Sequence, residues 1–315
     1  MKRAAQLAGV IPILPTPFTD LDEIDLEAVG RLVEFAVTCG VQAVGTPAYA
    51  SEFYKLDPSE RALLVETALV AARGRVGVVA QCNHHSPRHA ARLAADAERC
   101  GAMAINIALP RAFASSPSQL LNFAQTVCEA VSLPVIVQDW NPAGGSVGLD
   151  FVLQLRHRCR NFKYLKLEDA GIAPLIRTIH RETGGEVRVF SGWGGTFLLE
   201  HHPAGACGIM PGLGLADILV RVWGSLQDEK ADEAFEVFTR ILPYLQFSLQ
   251  SLEMHHHVDK QLLVSRGVLR NAIVRPVTID VSDDARAHLA RLIGQLHPLL
   301  VSPGAHGRPE GFPAS

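Results

Sequence analysis

Several common patterns are missing from this sequence of 315 residues. Its six cysteines (Cys39, Cys82, Cys100, Cys128, Cys159 and Cys207) include no C-x-x-C pair. That argues against a zinc knuckle or a disulfide scaffold and for reduced, mostly buried thiols. No apolar run reaches the roughly 18 residues of a membrane span. Met1-Lys2-Arg3 is basic, but Pro12 and Pro15 cut short the apolar stretch after it, so no secretory signal is read and a cytoplasmic protein is expected. Lys and Arg number 29 against 32 Asp and Glu, a formal net charge of −3. Without a basic excess or a polybasic run, neither nucleic acid nor a membrane surface is an expected partner. A Gly-x-Gly-x-x-Gly loop is also absent after the first strand candidate, which removes the dinucleotide-binding fingerprint. Gly212-Leu213-Gly214 comes too late and reads as a loop into the eighth helix.

What is present is apolar material: 48% of residues are hydrophobic and 19% charged, enough for a large core. Short apolar runs alternate with amphipathic stretches. Strands are expected at 10–14, 41–46, 76–81, 102–108, 134–138, 162–167, 187–191 and 205–210. Between them lie helix starts: Asp25, the Asp57-Pro58-Ser59-Glu60 box, Ser86-Pro87 and Ser116-Pro117. Eight strand–helix units imply parallel pairing with right-handed crossovers. In about 220 residues they fit an α/β fold of the (β/α)8 TIM barrel kind. Helical stretches are expected from Asp217 onward at 217–226, 229–252, 258–266 and 283–300, more than a barrel needs. The expected organisation is a barrel over 1–222, a C-terminal helical region over 223–301 and a flexible tail over 302–315.

Chemistry on such a barrel sits where the strands end. Those ends carry Tyr49-Ala50-Ser51-Glu52, Asn83-His84-His85, Arg111, Gln138-Asp139, Lys166-Leu167-Glu168-Asp169, Gly192-Trp193 and Met210-Pro211. Lys166 stands out. A lysine buried in an apolar strand is disfavoured in its charged form, and a neutral amine can attack a ketone to form an imine. Alternatively it pairs with Glu168 or Asp169 and is structural.

The sequence resembles the dihydrodipicolinate synthase / N-acetylneuraminate lyase family of class I aldolases. The likeness rests on Gly9-Val-Ile-Pro-Ile-Leu-Pro-Thr-Pro-Phe18, Gly40-Val41, Glu52-Phe-Tyr-Lys-Leu56, Leu133-Pro-Val-Ile-Val137, Tyr164-Leu-Lys166, Phe190-Ser-Gly192 and Gly205-Ala-Cys-Gly-Ile209. The resemblance implies a barrel with C-terminal helices, usually a homotetramer, in which Lys166 forms a Schiff base with pyruvate or another 2-keto acid. It also marks departures. Gln138 stands where most members have a proton-shuttling tyrosine, and an amide cannot shuttle protons as a phenol can. Alignment through Glu52 puts Tyr49 and Ala50 in the places of two threonines and Ser51 in that of a glycine. Neither the tyrosine after strand four nor the arginine after strand five of the dihydrodipicolinate synthases is present, which disfavours that activity.

The expected function is a Schiff-base lyase acting on a 2-keto acid, by aldol cleavage or condensation or by dehydration of a keto sugar acid. Lys166 is the expected nucleophile, and Gln138 orients the keto acid or a water. Tyr49 or Glu168 replaces the missing phenol. Ser51, Ala50 and the backbone near Gly192 and Ile209 receive substrate. No cofactor is expected, because the protonated imine is the electron sink. No metal is expected either. Adjacent His84 and His85 rarely share an ion, and His201-His202 and His255-His256-His257 read as exposed or helix-end positions. Two alternatives remain: a non-catalytic or regulatory 2-keto acid binding protein on the same barrel, and a metal-dependent class II aldolase using His84 and His85.

Overall fold

The computed structural model describes residues 6–111, 115–141 and 144–300; the tail expected at 302–315 lies outside them. The first half of the barrel runs β1 (Gly9–Val10), α1 (Leu26–Thr38), β2 (Ala43–Thr46), α2 (Pro58–Ala72), β3 (Gly77–Gln81), α3 (Pro87–Cys100), β4 (Ala104–Ala108) and α4 (Pro117–Glu129). The second half runs β5 (Val135–Asp139), α5 (Leu149–Arg158), β6 (Phe162–Leu167), α6 (Ala173–Thr183), β7 (Arg188–Ser191), α7 (Leu198–His201), β8 (Gly208–Ile209) and α8 (Ala216–Gln227). Local chemistry sets the helix starts. Asp25 accepts from Ala28 N at 2.9 Å. Asp57 with Glu60, and Ser116 with Gln119, close full capping boxes with proline in the first turn.

All eight strands pair in parallel, in the order β1-β8-β7-β6-β5-β4-β3-β2. A parallel bridge from Ile13 to Gly45 joins the two ends of the sheet, and one from Ile13 to Gly212 extends the β1–β8 pairing. The chain is thus a (β/α)8 barrel, as the alternation predicts. Its interior is packed by side chains including Leu7, Ile11, Val79, Ile136, Tyr164 and Phe190. The Tyr164 hydroxyl accepts from Leu7 N at 2.8 Å and seals the N-terminal end. Side chains two apart on a strand share a face. Lys166 therefore follows Tyr164 inward, one layer nearer the C-terminal mouth.

Beyond the barrel come α9 (Ala231–Ser248), α10 (Leu252–Ser265) and α11 (Asp283–Leu296). Helix α10 starts six residues before the expected 258, because Ser251 accepts from Met254 N at 3.0 Å and caps it there. The histidine run thus lies at a helix end, as one reading had it, but His255 and His256 are not exposed. His255 and His256 are 9% and 1% exposed, inside the first turns of a buried helix. One apolar cluster joins Val10, Leu32 and Leu219 to Phe238, Leu262 and Leu292, so barrel and C-terminal helices share a core. The division expected after 222 falls within α8.

A buried ionic cluster fixes the same junction. Glu52, fully buried and left-handed at φ 59°, is bonded to Lys260 Nζ at 2.5 Å, to Lys55 Nζ at 3.2 Å and to Arg275 N at 3.1 Å. Burial pulls the Lys260 amine down to about 8, against the opposing pull of Glu52. Among the described residues no helix is long and apolar enough to cross a membrane.

Candidate active site

A cavity of about 100 Å³ opens at the C-terminal mouth of the barrel. Strand ends supply Gln138, Lys166, Glu168 and Met210, the loop after β2 supplies Tyr49 and Ala50, and the α9–α10 turn supplies Leu249, Ser251, Leu252 and His255. Lys166 Nζ lies 3.0 Å from Glu168 Oε1; both side chains are more than nine-tenths buried. Asp169, the other partner considered for Lys166, instead accepts from Ser146 N at 2.9 Å.

Glu168 is held by more than the lysine. Gln138 Nε2 donates to its Oε1 at 2.6 Å, and Trp193 N donates to its Oε2. Gln138 is in turn fixed from behind, its Oε1 accepting from Asn106 Nδ2 at 3.1 Å, and Asn106 reaches on to Gln81. A line of amides across β3, β4 and β5 thus ends on the carboxylate beside Lys166. Both ends of the Gln138 side chain are engaged with protein groups. Gly192 does not line the cavity, but a Cβ there would stand 2.0 Å from Glu168 Oε2; its bare backbone makes room for the carboxylate.

Tyr49 lines the cavity, its ring edge-on to Trp140 at 4.9 Å and to Phe53 at 5.0 Å. Its hydroxyl has no hydrogen-bond partner among the described residues. Burial first, and then the charge of Glu168, raise its pKa, so near neutral pH it is a protonated donor. Ser51 stands apart from the cavity. Fully buried, it donates from Oγ to Leu14 O at 2.6 Å and accepts there from Ala48 N at 3.0 Å. Ile209 turns into the outer apolar layer, and its carbonyl accepts from Ile11 N at 2.9 Å. Arg111 grips Asp139 with two bonds, at 2.7 and 2.6 Å.

The histidines sort differently from their order in sequence. His84 stacks on His89 at 4.7 Å, takes a bond from Ser86 N, and faces a separate groove between α2 and α3. Among the described residues no three His, Cys, Asp or Glu side chains converge as metal ligands. His255 lines the cavity instead. Sequence reasoning missed it, since its distance from Lys166 along the chain and its place in a run of three give no sign of it. The one usable signal is Ser251 as a helix cap, which turns the next residues into a buried first turn.

The family model described as the dihydrodipicolinate synthetase family matches residues 6–296. L-2-keto-3-deoxyarabonate dehydratase of Azospirillum brasilense is 27% identical over 93% of this chain and 96% of its own length. The 4-hydroxy-tetrahydrodipicolinate synthase of Bartonella quintana is 34% identical, but over 50% of this chain and 53% of its own. Among solved structures, dihydrodipicolinate synthase from Rhodopseudomonas palustris superposes with a TM-score of 0.85 at 26% identity, covering 92% of this chain and 97% of its own. With the matched fold and a strand lysine at the mouth, the chain belongs to the dihydrodipicolinate synthetase family and is a lyase of the class I aldolase type.

Proposed function

We propose that this chain dehydrates a short 2-keto-3-deoxy sugar acid through an imine on Lys166, with Glu168 carrying the proton. The observation that carries the reading is the Lys166–Glu168 pair at 3.0 Å, with Gln138 rather than a phenol behind it. The amine adds to the substrate ketone and water leaves, giving a protonated imine. Glu168, beside that nitrogen, removes a proton from the neighbouring carbon and returns it to the hydroxyl one carbon further on, which the enamine electrons expel as water; a second water then hydrolyses the imine and frees the amine. Such an elimination needs no second substrate and no strand-five tyrosine. Tyr49, its phenol kept protonated, serves as a donor rather than a base. Gln138 holds Glu168 in register, and Gly192 gives it space.

The substrate carboxylate finds its donors in the loop that lines the cavity. The amides of Tyr49 and Ala50 have no backbone acceptor among the described residues, whereas Ser51 is committed to Leu14 and Ala48. The match to the Azospirillum dehydratase, spanning nearly all of both chains, supports the reaction class. Pyruvate is the minimal ligand; a prophage protein of the family from E. coli K12 was solved in complex with it, at 21% identity. A cytoplasmic dimer or tetramer of identical chains completes the reading.

The test is borohydride reduction with pyruvate followed by intact mass, alongside turnover of L-2-keto-3-deoxyarabonate. The expected result is an adduct on Lys166, absent in Lys166→Ala, with loss of water from the sugar acid. An unchanged wild-type mass across a panel of 2-keto acids would overturn the proposal.

A further inference from the structure

The roof of the cavity comes from the α9–α10 turn, and His255 is the side chain there with a ring nitrogen to offer. Ser251 spends its hydroxyl capping α10, and Leu249 and Leu252 are apolar. The His255 ring is firmly placed. Its Nδ1 lies 2.9 Å from the buried Ser248 Oγ. Its Cε1 rests against Gly212, where a Cβ would come within 2.7 Å. Among the described residues Nε2 has no protein partner, and it is not among the polar atoms sealed from solvent without one, so it is the ring nitrogen left open to a ligand.

Charge decides what that edge can bind. Burial keeps the imidazole neutral and the nearby Lys166 charge adds to the effect, while Asp259 opposes it. A neutral imidazole offers a carboxylate no countercharge, and in the tautomer with Nε2 unprotonated it turns a lone pair toward it. Among the described residues no guanidinium lines the cavity, and Arg111, the arginine at the end of strand four, is held by Asp139. A hydroxyl, by contrast, both donates and accepts, and suits Nε2 in either tautomer.

Resting on the imine at Lys166, we propose that His255 reads a hydroxyl on the substrate chain, which makes it a specificity-determining residue for short hydroxylated 2-keto acids over pyruvate and over 2-keto acids ending in a second carboxylate. The imine carbon sits at Lys166, the carboxylate turns to the Tyr49–Ala50 loop, and the remaining carbons run toward the roof. A site built to hydrogen-bond a substrate hydroxyl discriminates strongly against the analogue lacking it, because its own polar group is then left unpaired.

The experiment measures the concentration giving half-maximal borohydride trapping, by intact mass, for pyruvate, 2-oxoglutarate and L-2-keto-3-deoxyarabonate. Wild type is compared with His255→Leu and His255→Gln. The wild type is expected to trap the hydroxylated acid at the lowest concentration. His255→Leu should raise that value at least about tenfold and shift the pyruvate value less than about threefold. His255→Gln, which keeps a polar edge, should recover most of the loss. A preference over pyruvate unchanged within threefold in His255→Leu, or pyruvate and the hydroxylated acid weakened equally in both variants, overturns the assignment while leaving the imine intact. Absence of any wild-type pyruvate adduct overturns the imine reading and this assignment with it.

Discussion

The Glu168 carboxylate occupies the volume that a side chain at Gly192 would need, with Oε2 only 2.0 Å from the position of a Cβ there. Gly192→Ala therefore forces the carboxylate off its place beside Lys166. Borohydride trapping of pyruvate should survive, because imine formation depends on the amine. Turnover should fall by at least about a hundredfold, the scale of lost general acid–base catalysis. Turnover within threefold of wild type would mean that the position of Glu168 does not matter.

Glu168→Gln keeps the shape and removes the base. The measurement is exchange of the pyruvate methyl protons with deuterated water, followed by proton NMR. Exchange should drop by about 10² to 10⁴-fold, with the Lys166 adduct still forming. Exchange at the wild-type rate would assign the proton to another group, Tyr49 first.

Gln138 is a strut between Asn106 and Glu168. Gln138→Leu strips one donor from the carboxylate and one acceptor from Asn106. A loss of about 1–3 kcal/mol in urea unfolding is expected, the usual cost of leaving buried polar groups without partners. Unchanged stability would show that solvent replaces the amide at no cost.

The histidines of α10 predict an acid limit to stability. His255, His256 and His257 are each held below the ordinary imidazole range, chiefly by burial. They stay neutral in the fold and take up protons in the unfolded chain. Below about pH 6.5 the unfolded state thus binds more protons, and stability falls as pH falls. The urea midpoint should decline from pH 7 to pH 5, and less steeply in His256→Leu. A midpoint that is flat across this range would contradict the assignment.

Glu52→Gln leaves the Lys260 ammonium buried without its carboxylate. Breaking one side of a buried pair costs about 3–5 kcal/mol. The loss should show in thermal unfolding at pH 7 and shrink toward pH 9, as the amine of the variant sheds its proton. A variant as stable as wild type at pH 7 would mean that the Ile273 carbonyl alone suffices for Lys260.

The barrel is readable because its signals are local. Asp57-Pro58-Ser59-Glu60 and Ser116-Pro117 announce helix starts within four residues, and an apolar run bounds β6 at Phe162–Leu167. The inward place of Lys166 comes from that strand's alternation. What stays hidden depends on which partner a polar group chooses. Nothing in Tyr49-Ala50-Ser51 reveals that the serine turns to Leu14 O, thirty-seven residues away. Nothing in Val135 to Asp139 reveals that Gln138 donates to the Glu168 carboxylate thirty residues on. Hydroxyls and amides have several acceptable partners, and tertiary packing chooses among them.

The roof over Lys166 is contributed by residues synthesised long after the lysine itself. On the ribosome, β6 and the whole ring of strands emerge before the α9–α10 turn does. The roof closes over the lysine only when α10 docks and Glu52 meets Lys260. The lysine and the roof over it are therefore written in different stretches of the chain. Exchange of the helical region between relatives would change the roof and leave Lys166 untouched.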